Sequence, residues 1–272
     1  MKEIKFEDLS LEKLNHDMMD DYKIIYKGTD FYIRLHLKPG NENLVVFSNG
    51  AIQPEKKAPP LFMRSKYHED IEANCLYIDD RTIHENGLKI GWGIGTIDRH
   101  FIYDYHDIVI KISEILNINS SNTSYYGSSA GGFMSILLAS LNKGSQAIVN
   151  NPQIFVFNYV KFSVQQVYKN IFPNLTEKDI LHNYRERFSV PVFLKNNKHT
   201  PKIYYYQNIS CKSDVTNHML PFRKSIFSRK LYKNRITFTQ YYDDKRGHNP
   251  IPMKNTTKII NYHVNNSDLK FN

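Results

Sequence analysis

Cysteine is nearly absent from this chain of 272 residues: only Cys75 and Cys211 occur. So few thiols imply no disulfide framework, and no Cys/His spacing spells out a metal site. Long apolar runs are missing as well, since nothing approaches the ~18 residues that a membrane span needs. The stretch Met1 to Asp20 is charged throughout and lacks the apolar core of a secretory signal. A cytoplasmic protein is therefore expected. Acids are the scarcer charge, 27 Asp and Glu against 36 Lys and Arg, for a net +9. That excess favours polyanions, phosphorylated small molecules or an anionic membrane surface, and leaves peripheral contact with the inner membrane face open. The lysines are scattered, however, and there is no zinc-finger spacing or RNA-recognition signature, so nucleic acid is not an expected partner. No internal repeat or low-complexity tract is present.

What the chain does have is material for a sizeable core, with 41% hydrophobic and 13% aromatic residues. Its length suits one large domain, residues 1–272, with room for an insertion. Spaced apolar positions from Phe6 to Met19 suggest a short leading helix. Tyr22 to Lys27 and Phe31 to Lys38 read as strands, the second with Ile33, Leu35 and Leu37 alternating with polar residues. Leu44 to Phe47 is a short continuous apolar run, as in a strand covered on both faces. A long proline-containing loop from Ser48 to Asp70 follows. Ala73 to Ile78, Thr123 to Tyr126, Gln146 to Val149, Ile203 to Tyr206 and Ile236 to Tyr241 are further strands. Helical spacing marks Tyr103 to Leu116, Ala130 to Leu141, Leu220 to Tyr232 and Thr256 to His263. Strands alternating with helices predict an α/β fold with a mostly parallel central sheet and helices on both faces. Residues from about 155 to 200 break the alternation and read as a small helical cap insertion.

The strongest chemical signal is Gly127-Ser128-Ser129-Ala130-Gly131-Gly132. It matches G-x-S-x-G between a strand and an amphipathic helix, the context of a nucleophile elbow. There the nucleophile sits in a strained turn, and residues two positions away crowd one another unless they lack side chains. Ser129 has the right register. Ser128 does not, and the alternative is an ordinary Gly-Ser turn.

A serine needs a base to take its proton. On this kind of fold the order along the chain is Ser, then Asp or Glu, then His. His248 lies in Arg246-Gly247-His248-Asn249-Pro250, directly after the last predicted strand. His263 falls in a helical pattern and reads as structural. Asp214 is the only acid in the loop after Ile203 to Tyr206. It would hold the imidazole tautomer, or it would cap the helix starting near Asn217. Asp243 and Asp244 compete for the role but lie very close to His248 in sequence.

An oxyanion hole needs two donors. One should be the backbone N–H of Ala130. The other should come from the loop after Leu44 to Phe47, from Asn49, Gly50 or Ala51, though Asn-Gly is also a plain turn signal. Gly91-Trp92-Gly93-Ile94-Gly95 lacks the spacing of a dinucleotide site and reads as a flexible loop with Trp92 as a wall of the site. Asn150-Asn151-Pro152-Gln153 follows a strand, which puts Asn151 and Gln153 at the site's edge as substrate-binding candidates or as a simple turn.

Together these residues resemble the α/β-hydrolase-fold O-acetyltransferases of bacterial capsule loci. The shared features are the Gly127 to Gly132 elbow, Asn150 to Gln153 after the next strand, Asp214 four residues before His218, and Gly247-His248. The resemblance spans about Leu44 to His248. It implies transfer of acetyl from acetyl-CoA, as co-substrate rather than bound cofactor, to a hydroxyl of a capsular polysaccharide. Ser129, Asp214 and His248 would be the triad, and no metal is implied. The basic surface would suit both the phosphates of coenzyme A and an anionic sugar polymer. A carboxylesterase or deacetylase of the same fold, or a non-catalytic polysaccharide-assembly subunit, is the alternative.

Overall fold

The computed structural model describes residues 1–14, 19–84, 87–227 and 235–266. A nine-stranded sheet runs through it in the order β1-β2-β3-β5-β4-β6-β7-β8-β9. The strands are β1 (Lys2–Lys5), β2 (Asp20–Tyr26), β3 (Thr29–His36), β4 (Leu44–Ser48), β5 (Asn74–Ile78), β6 (Thr123–Ser128), β7 (Gln146–Asn150), β8 (Lys202–Asn208) and β9 (Ile236–Tyr241). From β5 across to β9 every neighbouring pair is parallel. Only β3 runs against its neighbours, pairing antiparallel with β2 and β5. This is the mostly parallel α/β sheet that the alternation predicted.

The sheet's two faces bury different side chains of the same strands, as the two-residue period of a strand requires. In β4, Leu44 and Val46 join one core with Leu76, Tyr125, Val149 and Tyr205. Val45 and Phe47 join the other with Tyr77, Tyr126 and Ile148. Helices α1 (Phe101–Ile115) and α2 (Ala130–Leu141) cover the first face. In α1, Phe101, Tyr105, Ile108 and Ile112 form the buried stripe. Ile260 and Val264 of the closing helix, Met253–Asn265, cover the second face. Each such aliphatic or aromatic side chain contributes about 1.5–3 kcal/mol when taken out of water.

Between β7 and β8 lies the helical stretch expected near residues 155–200. It comprises α3 (Lys161–Ile171), α4 (Glu177–Asn183) and α5 (Val190–Asn197). A Thr176–Asp179 capping box starts α4. Arg187 ties the insertion to the loop ahead of α1, donating to the carbonyls of Thr96 and Ile97. After β8, α6 (Lys212–Asp214) passes through a π-helical turn, Val215–Met219, into α7 (Leu220–Phe227); the closing helix, Met253–Asn265, is then α8.

Among the described residues, the leading helix expected from Phe6 to Met19 is not formed. Lys2–Lys5 is a strand that adds to β2 in parallel, and Phe6–Asp8 is a single 3₁₀ turn. Ile4 is the one buried residue of that edge strand, too little alternation to read as a strand. Residues 15–18 of that expectation, and 228–232 of the helix expected from Leu220 to Tyr232, lie outside the described residues. Among the described residues no helix is long and apolar enough to cross a membrane.

Candidate active site

Ser129 stands between the last residue of β6 and the first of α2, at φ 56° and ψ −125°. Non-glycine residues seldom hold such a conformation, and local strain of this kind concentrates at functional sites. The glycines around it make the turn possible. A Cβ on Gly127 would lie 2.2 Å from the Gly131 carbonyl carbon and oxygen. A Cβ on Gly131 would lie 2.4 Å from the Ser48 carbonyl oxygen. Because those obstacles are backbone, Gly127→Ala is expected to cost at least ~3 kcal/mol of stability. Urea unfolding measures this, and a variant as stable as wild type would refute the steric account. The Ser129 carbonyl also accepts from the N–H groups of Gly132, Phe133 and Gln153 at 3.1, 3.3 and 3.1 Å, which locks the elbow.

The imidazole of His248 reaches this serine across 119 residues of chain, with Nε2 2.9 Å from Ser129 Oγ. Its other nitrogen, Nδ1, lies 2.6 Å from Asp214 Oδ2. Asp214 is buried and ends α6 where the π turn begins. It makes no side-chain cap, so the helix-capping alternative does not describe it. A π turn re-aims side chains relative to an ordinary helix and recurs at functional sites. Asp243 and Asp244 are not at the imidazole. The Asp243 carboxylate takes the Arg246 N–H at 3.2 Å and pairs with the Arg246 guanidinium. His263 belongs elsewhere, stacked on Tyr204 and bonded to the Tyr206 hydroxyl. The Ser128 hydroxyl instead accepts from Arg64.

Two consecutive asparagines at the end of β7 join the serine turn to the histidine loop. The Asn150 carbonyl takes the Ser129 N–H at 3.2 Å, and its side-chain oxygen takes the Ile251 N–H at 2.8 Å. The Asn151 amide donates to the carbonyl of His248 at 3.2 Å and accepts from the Asn208 N–H at 2.8 Å. Asn208 in turn donates to the carbonyls of Asp243 and Gly247. Asn151 is fully buried. Its polar atoms are engaged in holding the loop that carries His248.

Gln153 does face the Ser129 hydroxyl. Its Nε2 donates to Ser129 Oγ at 2.8 Å, while its Oε1 accepts from the Trp92 indole N–H at 2.6 Å. Trp92 is fully buried, with Tyr159 edge-on against it. It is thus a brace behind Gln153 rather than an exposed wall. At the opposite side of the elbow, a Cβ on Gly50 would lie 4.0 Å from Ser129 Cβ, so the Gly50 backbone passes beside Ser129. The Ala130 N–H opens α2, where no preceding turn supplies an acceptor. The Asn49 side chain turns away, donating to the Leu61 carbonyl and Asp79 Oδ1 and accepting the Met63 N–H. Of Asn49 only the backbone remains for an oxyanion. The buried Asp79 carboxylate that organises this loop also takes the Leu61 N–H. Nothing in the sequence around it signals that role.

A cleft of about 260 Å³ opens beside the imidazole, lined among others by Tyr159, Asn217, His218 and His248. Burial pushes His218 down to about 4, reinforced by repulsion from His248 and opposed by Asp214. Burial likewise holds His263 at about 4 and, with repulsion from Arg187, His100 at about 3. All three lie below the ordinary 6.5, so the unfolded chain takes up their protons first as pH falls. Asp80 acts the other way: burial raises it to about 6 from 3.8, and the folded state holds its proton more tightly. Three groups against one give a net loss of stability between about pH 6.5 and pH 4, with each histidine worth roughly 3 kcal/mol or more. Unfolding free energies measured across that interval are expected to fall steadily with acidification. A flat profile would contradict the burial of these rings.

No known protein-family profile matches the chain, and no curated protein sequence matches it. Solved structures do match. The capsule O-acetyltransferase of Neisseria meningitidis serogroup A aligns at TM-score 0.64 and 14% identity over 89% of this chain and 96% of its own. A mutant of it solved in complex with CoA aligns equally well, at TM-score 0.64. An S-formylglutathione hydrolase from Agrobacterium tumefaciens aligns at TM-score 0.62 and 10% identity, over 92% of this chain and 93% of that one. At such identities the likeness establishes a shared fold.

Proposed function

We propose that this chain is a serine-dependent acyltransferase that moves acetyl from acetyl-CoA to a hydroxyl of a bacterial capsular polysaccharide through an acyl-serine intermediate. The observation that carries the reading is the line Ser129 Oγ, His248 Nε2, His248 Nδ1, Asp214 Oδ2, with separations of 2.9 and 2.6 Å at its two polar contacts. In this mechanism Ser129 Oγ attacks the thioester carbonyl as its proton passes to His248 Nε2. Asp214 fixes the Nδ1–H tautomer and stabilises the imidazolium. The developing oxyanion is held by backbone N–H groups of Ala130 and Gly50. His248 then protonates the departing thiolate. An acceptor hydroxyl gives its proton to the same nitrogen and takes the acetyl group, as the bond to Ser129 Oγ breaks and that oxygen recovers the proton from His248 Nε2. Because the donor is a cytoplasmic metabolite, the reaction is placed in the cytoplasm.

Two observations support the transferase over other acyl chemistry. The fold likeness includes a capsule O-acetyltransferase that itself takes CoA. The net charge of +9 suits a polyphosphorylated donor and an anionic acceptor. Ester hydrolysis is the second reading, because esterase folds align almost as well, at TM-scores of 0.60 to 0.62. The two differ only in whether a sugar hydroxyl or water attacks the acyl-serine. Incubation with acetyl-CoA and candidate capsule glycans should give acetylated glycan in step with free CoA. Thioester loss that never acetylates a glycan would leave the hydrolase.

A further inference from the structure

The residue just before α6 brings a second chemistry to the imidazole. Cys211, partly exposed, presents its Sγ so that this sulfur, an Asp214 carboxylate oxygen and a His248 ring nitrogen all lie within 4.8 Å of one another. Thiolate, imidazole and carboxylate make a donor set for zinc, and one too soft for magnesium or calcium. Around a tetrahedral zinc, donors at 2.0–2.3 Å from the metal stand roughly 3.5 Å apart. Reaching that value needs about an ångström of movement, with the Asp214–His248 pair opening from 2.6 Å and the wider spacings, all within 4.8 Å, closing. Among the described residues the Cys211 side chain has a 3.4 Å contact with the Ser213 hydroxyl to give up. The imidazole is 36% exposed, which leaves a way in for the ion.

We infer that Cys211, Asp214 and His248 form an inhibitory site for zinc or a similar thiophilic divalent cation, with a fourth position open to water. No Cys/His spacing in the sequence announces it, because Asp214 and His248 are 34 residues apart. The electronic consequence follows from which nitrogen the metal takes. Coordination releases the Cys211 thiol proton to solvent. It also moves the imidazole proton from Nδ1 to Nε2, so Nε2 then donates toward Ser129 Oγ and cannot accept its proton. Asp214, drawn to the metal, no longer orients the ring. A bound ion thereby switches off the serine without occupying the serine's own side of the histidine. The inhibition rests on the reading of Ser129 as nucleophile; the metal site itself does not.

Both halves are tested on the full chain. Co²⁺ added to wild type should give a thiolate-to-cobalt charge-transfer absorption that is absent in Cys211→Ser. The other cysteine, Cys75, cannot supply the band, since it is buried in the opposite core and burial pushes its thiol up to about 12. Zn²⁺ should suppress labelling of Ser129 by a fluorophosphonate, reversibly with EDTA. Cys211→Ser should label at the wild-type rate without metal. It should need at least ~10-fold more Zn²⁺ for the same suppression, since even the outer partners of metal ligands are worth ~10–100-fold in affinity. Wild type without the cobalt band, or equal zinc sensitivity in Cys211→Ser, would overturn the site. If the probe never labels wild type, the fault lies with the nucleophile assignment, and the cobalt band still decides the metal site.

Discussion

Ser129→Ala is expected to lose turnover by about 10⁴–10⁶-fold while the protein unfolds at an unchanged temperature. The hydroxyl makes two contacts, with His248 Nε2 and with Gln153 Nε2. Removing it takes away the atom that forms the acyl bond but leaves the methylene that packs in the elbow. Alanine tolerates the positive φ of this position no worse than serine does. His248→Ala should be as damaging, and the double variant scarcely worse than either single one, because the pair acts as a unit. Thioester turnover and thermal melts of the three variants read both quantities. Residual turnover within tenfold of wild type in either single variant would remove that residue from the mechanism.

Asp214→Asn should lower kcat by roughly 10⁴ with little change in substrate binding. The substitution keeps volume and shape in a buried position. It replaces an acceptor-only group by one that also donates. An amide turned to donate to Nδ1 leaves the imidazole proton on Nε2, pointing at Ser129 Oγ, where a base is needed. The imidazolium formed during attack also loses its neighbouring negative charge. The diagnostic is a fall in kcat with KM nearly unchanged and the fold intact by thermal melt. Asp214→Asn turning over within tenfold of wild type would show that the carboxylate does not set the tautomer.

Much of this architecture was legible in the sequence because its signals are local. The continuous apolar run in β4 and the alternation in β3 each report burial within a few residues, and the observed strands begin and end within about two positions of the expected ones. The elbow was legible for the same reason: its glycines answer to a clash between Gly127 and Gly131. What could not be read depends on residues that meet only after folding. The Trp92–Gln153 bond joins positions 61 apart, and Asn151 reaches a carbonyl 97 residues away. A buried amide that supports a loop looks, in sequence, like one that waits for a ligand. Strand β1 was invisible because an edge strand with one buried side chain has no period to detect.

The Asn150–Asn151 pair sets how the reacting groups keep their alignment. Positional error between two parts grows with the number of joints along the path that connects them. Along the covalent chain, serine and histidine are separated by 119 residues, including every helix of the insertion. Through hydrogen bonds they share one dipeptide, which gives both a common datum. Thermal breathing or wholesale replacement of the segment between β7 and β8 then shifts what is presented to the pair without detuning the pair itself.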